Sequence, residues 1–152
     1  MKHALALATA LTSLPAFAVD FTGHWVGTGT MFQKGLTGTT QSPCSKVEVI
    51  VEHLPNKLTV QKYNAVCGIM NPEWGPYPFE IRGTKVFEDG EETGTLEGNL
   101  LKTLQASGGV QYAFNLRLQD PPAGQAPVME TYYGVRNLVG TIVIEASIPR
   151  AP

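Results

Sequence analysis

Val110 to Gln119 reads VQYAFNLRLQ, and its alternation decides the fold. In an extended chain Tyr112, Phe114, Leu116 and Leu118 fall on one side, and Gln111, Asn115, Arg117 and Gln119 on the other. Successive side chains of a strand point to opposite faces, so this stretch is a strand with one face in a core and one in water. Ser45 to His53, SKVEVIVEH, repeats the pattern, with Val47, Val49 and Val51 opposed to Lys46, Glu48 and Glu52. Leu138 to Ile148, LVGTIVIEASI, places Ile142, Ile144, Ala146 and Ile148 together. Helical periodicity is nearly absent after residue 18, so the chain is expected to be all-β.

Turn residues punctuate these runs every ten or so positions. Asp89-Gly90 and Gly108-Gly109 are strong hairpin signals because they tolerate positive φ, and Pro55-Asn56 and Arg136-Asn137 mark two further tight connections. Eight strands follow, at about 21–32, 45–53, 58–66, 77–88, 92–107, 110–119, 128–136 and 138–148. Three longer loops remain, at 33–44, 67–76 and 120–127. The last, DPPAGQAP, cannot join a sheet interior because proline donates no ladder hydrogen bond. Sequential hairpins imply an eight-stranded antiparallel up-and-down barrel, whose closure removes exposed edges; a two-sheet β-sandwich is the alternative. A barrel of this size fills with side chains or encloses one small ligand.

Residues 1–18, MKHALALATALTSLPAFA, combine Lys2, an apolar alanine-rich middle and the small-x-small Ala16-Phe17-Ala18. That is the pattern of a secretory signal peptide cleaved after Ala18, which makes the periplasm or the exterior the expected compartment. Its apolar run falls short of the roughly 20 residues a membrane span needs, and no second run of that length follows. Residues 19–152 then form a single domain. At 43% hydrophobic residues the chain can bury a core of modest size. Without Lys2, 10 basic residues face 13 acidic ones, a net charge of about −3. Nucleic-acid binding lacks its basic footprint in such a chain, and no nucleic-acid partner is expected.

Cys44 and Cys67 are the only cysteines, an even count that in an exported chain implies a disulfide. If the 55–56 turn centres its hairpin, paired residues have numbers summing to 111, as 44 and 67 do, which sets the cysteines opposite each other within bridging distance. His3, His24 and His53 offer no ligand spacing with them, so no metal is expected. His24 falls opposite Trp25, toward solvent, and His53 at a strand end, as a solvated or hydrogen-bonded imidazole.

Gly23-x-Trp25 at the start of the first strand resembles the Gly-x-Trp signature of lipocalins and their calycin relatives. The resemblance implies an eight-stranded barrel that holds a small, largely apolar ligand. It also implies that a basic residue after the last strand, here Arg150, packs over the signature Trp25 at the closed end. The longer Gly23-x-Trp25-x-Gly27-x-Gly29 resembles the opening of nitrobindin-type haem barrels, but those ligate iron through a histidine near the C-terminus and none follows His53. No cofactor is expected. Small periplasmic inhibitors of metalloproteases are similar in strand count and disulfide, but block their targets with a longer N-terminal trunk than Val19-Asp20.

Ser42 and Ser45 have no histidine and carboxylate at recognisable positions to activate them, and Glu88, Asp89, Glu91 and Glu92 form an acidic turn, so no enzyme activity is expected. The most suggestive stretch is CGIMNPEWGPYPFE, Cys67 to Glu80, a proline-stiffened loop and its exit at the open end. Its aromatics either plug the barrel mouth as core or close over a ligand. Trp74, Tyr77, Phe79, Phe114, Leu116 and Ile144 are the candidate lining residues for a small apolar molecule. The competing expectation is a cell-envelope protein-interaction or protease-inhibitor module acting through the open-end loops.

Overall fold

The computed structural model describes residues 19–152; the expected signal peptide lies outside them. Eleven strands follow one another: β1 (Gly23–Gly35), β2 (Gly38–Leu54), β3 (Lys57–Val66), β4 (Glu73–Trp74), β5 (Tyr77–Arg82), β6 (Lys85–Glu88), β7 (Glu91–Glu97), β8 (Leu100–Ser107), β9 (Val110–Gln119), β10 (Val128–Arg136) and β11 (Thr141–Pro149). All belong to one antiparallel sheet, in the order β2-β1-β11-β10-β9-β8-β7-β6-β5-β3-β4, and a further pairing of β2 with β3 closes it into a ring. The two-residue β4 pairs with β3 beyond the end of β5, so ten strands run round the ring in chain order. The sheet is therefore single and up-and-down, not the two-sheet sandwich.

The expected count of eight strands becomes eleven for local reasons. The expected strand 77–88 divides into β5 and β6 at Gly83, and 92–107 into β7 and β8 at Gly98, where φ is +66° and +57°. Only glycine adopts that conformation without steric cost, and each lone glycine is enough to reverse the chain. Expected loop 67–76 contains β4, and most of expected loop 33–44 is paired, from Gln33↔Thr40 to Gly29↔Cys44. That polar hairpin extension has no period-2 signal because β3 ends before reaching it, with Lys46↔Val66 as the last β2–β3 pair.

Alternate strands run in opposite directions, so the connections at 36–37, 67–72, 89–90, 108–109 and 137–140 share one end of the ring. The chain ends and the connections at 55–56, 83–84, 98–99 and 120–127 share the other. Alternation places Val47, Val49, Val51, Leu58, Val60, Leu101, Leu116, Met129, Ile144 and Ile148 inside, all buried. In β1 the inward residues are Trp25, Gly27, Gly29 and Met31. A Cβ on Gly27 would stand 2.8 Å from Ile148 Cγ2, and one on Gly29 2.6 Å from the Glu145 carbonyl oxygen. These glycines let β11 lie close against β1, and opposite Gly27 and Gly29 the pairing skips from Val47 to Cys44, so the extra residue of a bulge falls on β2.

Trp25 is buried and donates its indole N–H to the Phe21 carbonyl at 3.2 Å. The Arg150 guanidinium lies 5.5 Å from its ring centroid and donates to the Thr22 carbonyl. Cys44 and Cys67 are joined by a disulfide, with S–S 1.96 Å and Cα–Cα 3.9 Å, just beyond the last β2–β3 pair. On the outer face His24 is tied to Glu48 at 2.9 Å, and Lys46 and Lys62 reach the same carboxylate at 2.9 and 3.1 Å. His53 is half-buried, its Nδ1 3.5 Å from the Phe21 amide that donates to it.

Candidate functional site

The interior holds an aromatic cluster centred on Tyr63 and Trp74. Trp74 stacks on Tyr63, centroids 5.1 Å apart and planes at 17°. Phe114 lies nearly perpendicular to both, at 4.9 Å from Trp74 and 5.8 Å from Tyr63. Tyr133 lies tilted at 5.2 Å from Tyr63, Tyr77 meets Trp74 at 5.9 Å, and Phe79 continues from Tyr77 at 5.2 Å. Such pairs contribute about 0.5–1.5 kcal/mol each beyond their buried area.

Different elements deliver these rings. Residues 73–74 form β4, which pairs Trp74 with Tyr63. β5 carries Tyr77 and Phe79 on one face, β9 carries Tyr112 and Phe114, and β10 carries Tyr133. Tyr63 reaches the interior because β3 changes phase. The pairing runs Val51↔Val60, then Ile50↔Lys62, so Gln61 is the extra residue of a bulge. Leu58 and Val60 point inward before it, and Tyr63 and Ala65 after it.

Beside the cluster lies a hollow of about 300 Å³, lined by Trp74, Tyr77, Phe79, Thr103, Gln105, Tyr112, Ala113, Phe114 and Tyr133. It sits toward the end of the ring that carries the 67–72 and 108–109 connections. The sequence candidates Trp74, Tyr77, Phe79 and Phe114 are brought together there; Leu116 and Ile144 are buried in the core and do not line it. Sequence reasoning missed Thr103, Gln105, Tyr112 and Ala113 as lining residues, and Tyr63 behind them. Tyr112 was within reach of the pattern, since it shares a face with Phe114, whereas Gln105 carries no signal in the sequence.

Among the described residues the lining bears no formally charged side chain. Burial pushes the Tyr63 phenol well above its ordinary range, with Tyr133 adding to it, and raises Tyr133 as well. Both stay neutral at physiological pH. Gln105 Nε2 donates to Tyr77 Oη at 2.7 Å, and Thr103 Oγ1 donates to the Phe114 carbonyl at 2.9 Å. The Tyr63 hydroxyl and the Trp74 indole N–H are buried with no hydrogen-bond partner among the described residues. The arrangement can hold an apolar molecule by contact and hydrogen-bond it through an amide.

A second hollow, of about 470 Å³, lies on the outer face of β1, β8, β9, β10 and β11. Lys102, Arg117, Glu130 and Glu145 line it with Phe32 and Tyr132, and Arg117 faces Glu130 at 3.7 Å. Its charged groups partly neutralise one another, and it belongs to the solvated face. Comparison with protein-family models, curated proteins and solved structures finds no match to this chain.

Proposed function

We propose that the chain is an exported, lipocalin-like barrel that binds a small, largely apolar molecule without chemical conversion, in the hollow lined by Trp74, Tyr77, Phe79 and Phe114. The observation that carries this reading is the uncharged aromatic lining of a hollow placed toward the loop end. Small-molecule sites are concave, mostly apolar and furnished with a few polar groups, and about 300 Å³ is the lower end of their range. A ten-stranded ring has a wider interior than an eight-stranded one, which favours a hollow over complete filling. The disulfide, and the absence of any helix long and apolar enough to cross a membrane among the described residues, are compatible with export.

Native mass spectrometry of protein purified without refolding tests the reading. A retained molecule of a few hundred daltons or less is expected, and Trp74→Ala should lose it. A chain that is empty after purification, and that takes up no apolar probe by equilibrium dialysis, overturns the proposal.

A second reading is supported by exposed aliphatics at the loop end: Leu36, Ile69 and Leu138 are 89, 98 and 97% exposed. Single exposed residues are ordinary, but three at one end of a ring suit a cell-envelope protein-interaction module. Pull-down from a periplasmic extract separates the two, since a carrier brings down no stoichiometric protein.

A further inference from the structure

We infer that the interior hollow is built for a neutral aromatic molecule of one or two rings carrying one hydrogen-bonding group. The inference rests on the reading of that hollow as a ligand site. Size sets the first bound. At about 30 Å³ per water, a hollow of about 300 Å³ holds on the order of ten waters, which suits one or two fused rings. A long acyl chain would have to leave the hollow.

Charge sets the second bound. An anionic head group has no Lys, Arg or His among the lining residues, and a cation has no carboxylate there. A charge placed without a partner in an apolar site suffers a desolvation penalty that contact does not offset. Rings alone can hold a quaternary ammonium ion by presenting open faces. Here the rings already engage one another: Tyr63 stacks on one face of Trp74, and Phe114 and Tyr77 cross its plane at 84° and 77°. The rings meet one another edge to face and at tilts of 41–55°, the contacts by which a further ring is received.

Polarity sets the third. The Gln105 side chain donates one N–H to Tyr77 Oη, and its carbonyl oxygen and second N–H make no hydrogen bond among the described residues. That amide sits in the lining, where a ligand hydroxyl, carbonyl or ring N–H would bond to it. A phenol, naphthol or indole has the required combination.

The test is isothermal titration of the disulfide-bonded protein with 2-naphthol, naphthalene, decanoate and choline. Saturable 2-naphthol binding at one site is expected, with Kd on the order of 1–100 µM, and at least tenfold weaker binding of decanoate and choline. Gln105→Leu should weaken 2-naphthol about three- to tenfold relative to naphthalene. Gln105→Met, which also lacks the amide, serves the same comparison if the leucine variant does not fold. Decanoate binding as tightly as 2-naphthol, and lost in Trp74→Ala, overturns the aromatic class while leaving an apolar-ligand site in place. Choline binding more tightly than 2-naphthol, or an unchanged 2-naphthol affinity in the folded amide-free variant, overturns it as well. If none of the four binds and no molecule is retained in native mass spectrometry, the ligand-site reading falls with it.

Discussion

Trp74 lies flat on Tyr63, ring centroids 5.1 Å apart, and each carries a buried polar atom with no hydrogen-bond partner among the described residues. The pair links the short β4 to β3 and forms one wall of the aromatic cluster beside the hollow. Two unsatisfied groups in one contact mean that packing, not hydrogen bonding, stabilises it. A buried hydroxyl or indole N–H left unpaired costs about 1–3 kcal/mol.

Tyr63→Phe keeps the ring and its three aromatic neighbours while removing the unpaired hydroxyl. The variant should be as stable as the parent or more stable, by up to about 1 kcal/mol, in urea unfolding. Trp74→Ala should lose about 2–4 kcal/mol and the aromatic wall with it. A loss above about 1 kcal/mol in Tyr63→Phe would mean that the hydroxyl is bonded in solution.

Much of the fold was legible because period-2 alternation is strict where one face is buried. VQYAFNLRLQ is β9 to the residue, and SKVEVIVEH lies wholly within β2. The strand count was not legible, since the turns at Gly83 and Gly98 each rest on one glycine, which in sequence reads equally as a bulge. Tyr63 was hidden by a similar cause. The bulge at Gln61 exists only relative to β2, and no property of LTVQKYNAV alone announces it. The lining was half legible: aromatic residues in a proline-stiffened loop stand out, but Gln105 looks like any solvent-facing amide.

Loss of the disulfide should destabilise without changing the sheet. Cys44 and Cys67 close a loop with a sequence separation of 23, for which the chain-entropy model gives about 3 kcal/mol. Cys44→Ala/Cys67→Ala should lower unfolding free energy by about 2–4 kcal/mol with unchanged far-UV circular dichroism. Both cysteines are buried, so reductant should open the bridge only slowly in the folded chain.

The glycines of β1 should differ from each other on substitution. At Gly27 the nearest atom to a new Cβ is the Cγ2 methyl of the buried Ile148, at 2.8 Å; at Gly29 it is the Glu145 backbone oxygen, at 2.6 Å, with Ala146 Cβ at 2.9 Å beside it. Overpacking typically costs about 1–3 kcal/mol. Gly29→Ala should therefore fall near the top of that range and Gly27→Ala below it. Equal losses in thermal unfolding would show that β11 shifts as a unit.

Glu48 gives stability a pH dependence with a defined sign. The hydrogen bond from Lys46, joined by those from His24 and Lys62, outweighs desolvation and holds the carboxyl down at about 2. A carboxyl whose folded pKa is depressed contributes stability above its unfolded value of roughly 4.3, and loses it as pH falls through the folded value. The cluster should therefore stabilise fully at pH 6–7 and progressively less between about pH 4.5 and 2. With its lysine partners largely solvated, the contribution is about 1–3 kcal/mol. Glu48→Gln should be less stable than the parent by that amount at pH 7, with the gap closing toward pH 2 in urea titrations. A gap that stays constant across this range would mean that the charge contributes nothing and that glutamine merely packs less well.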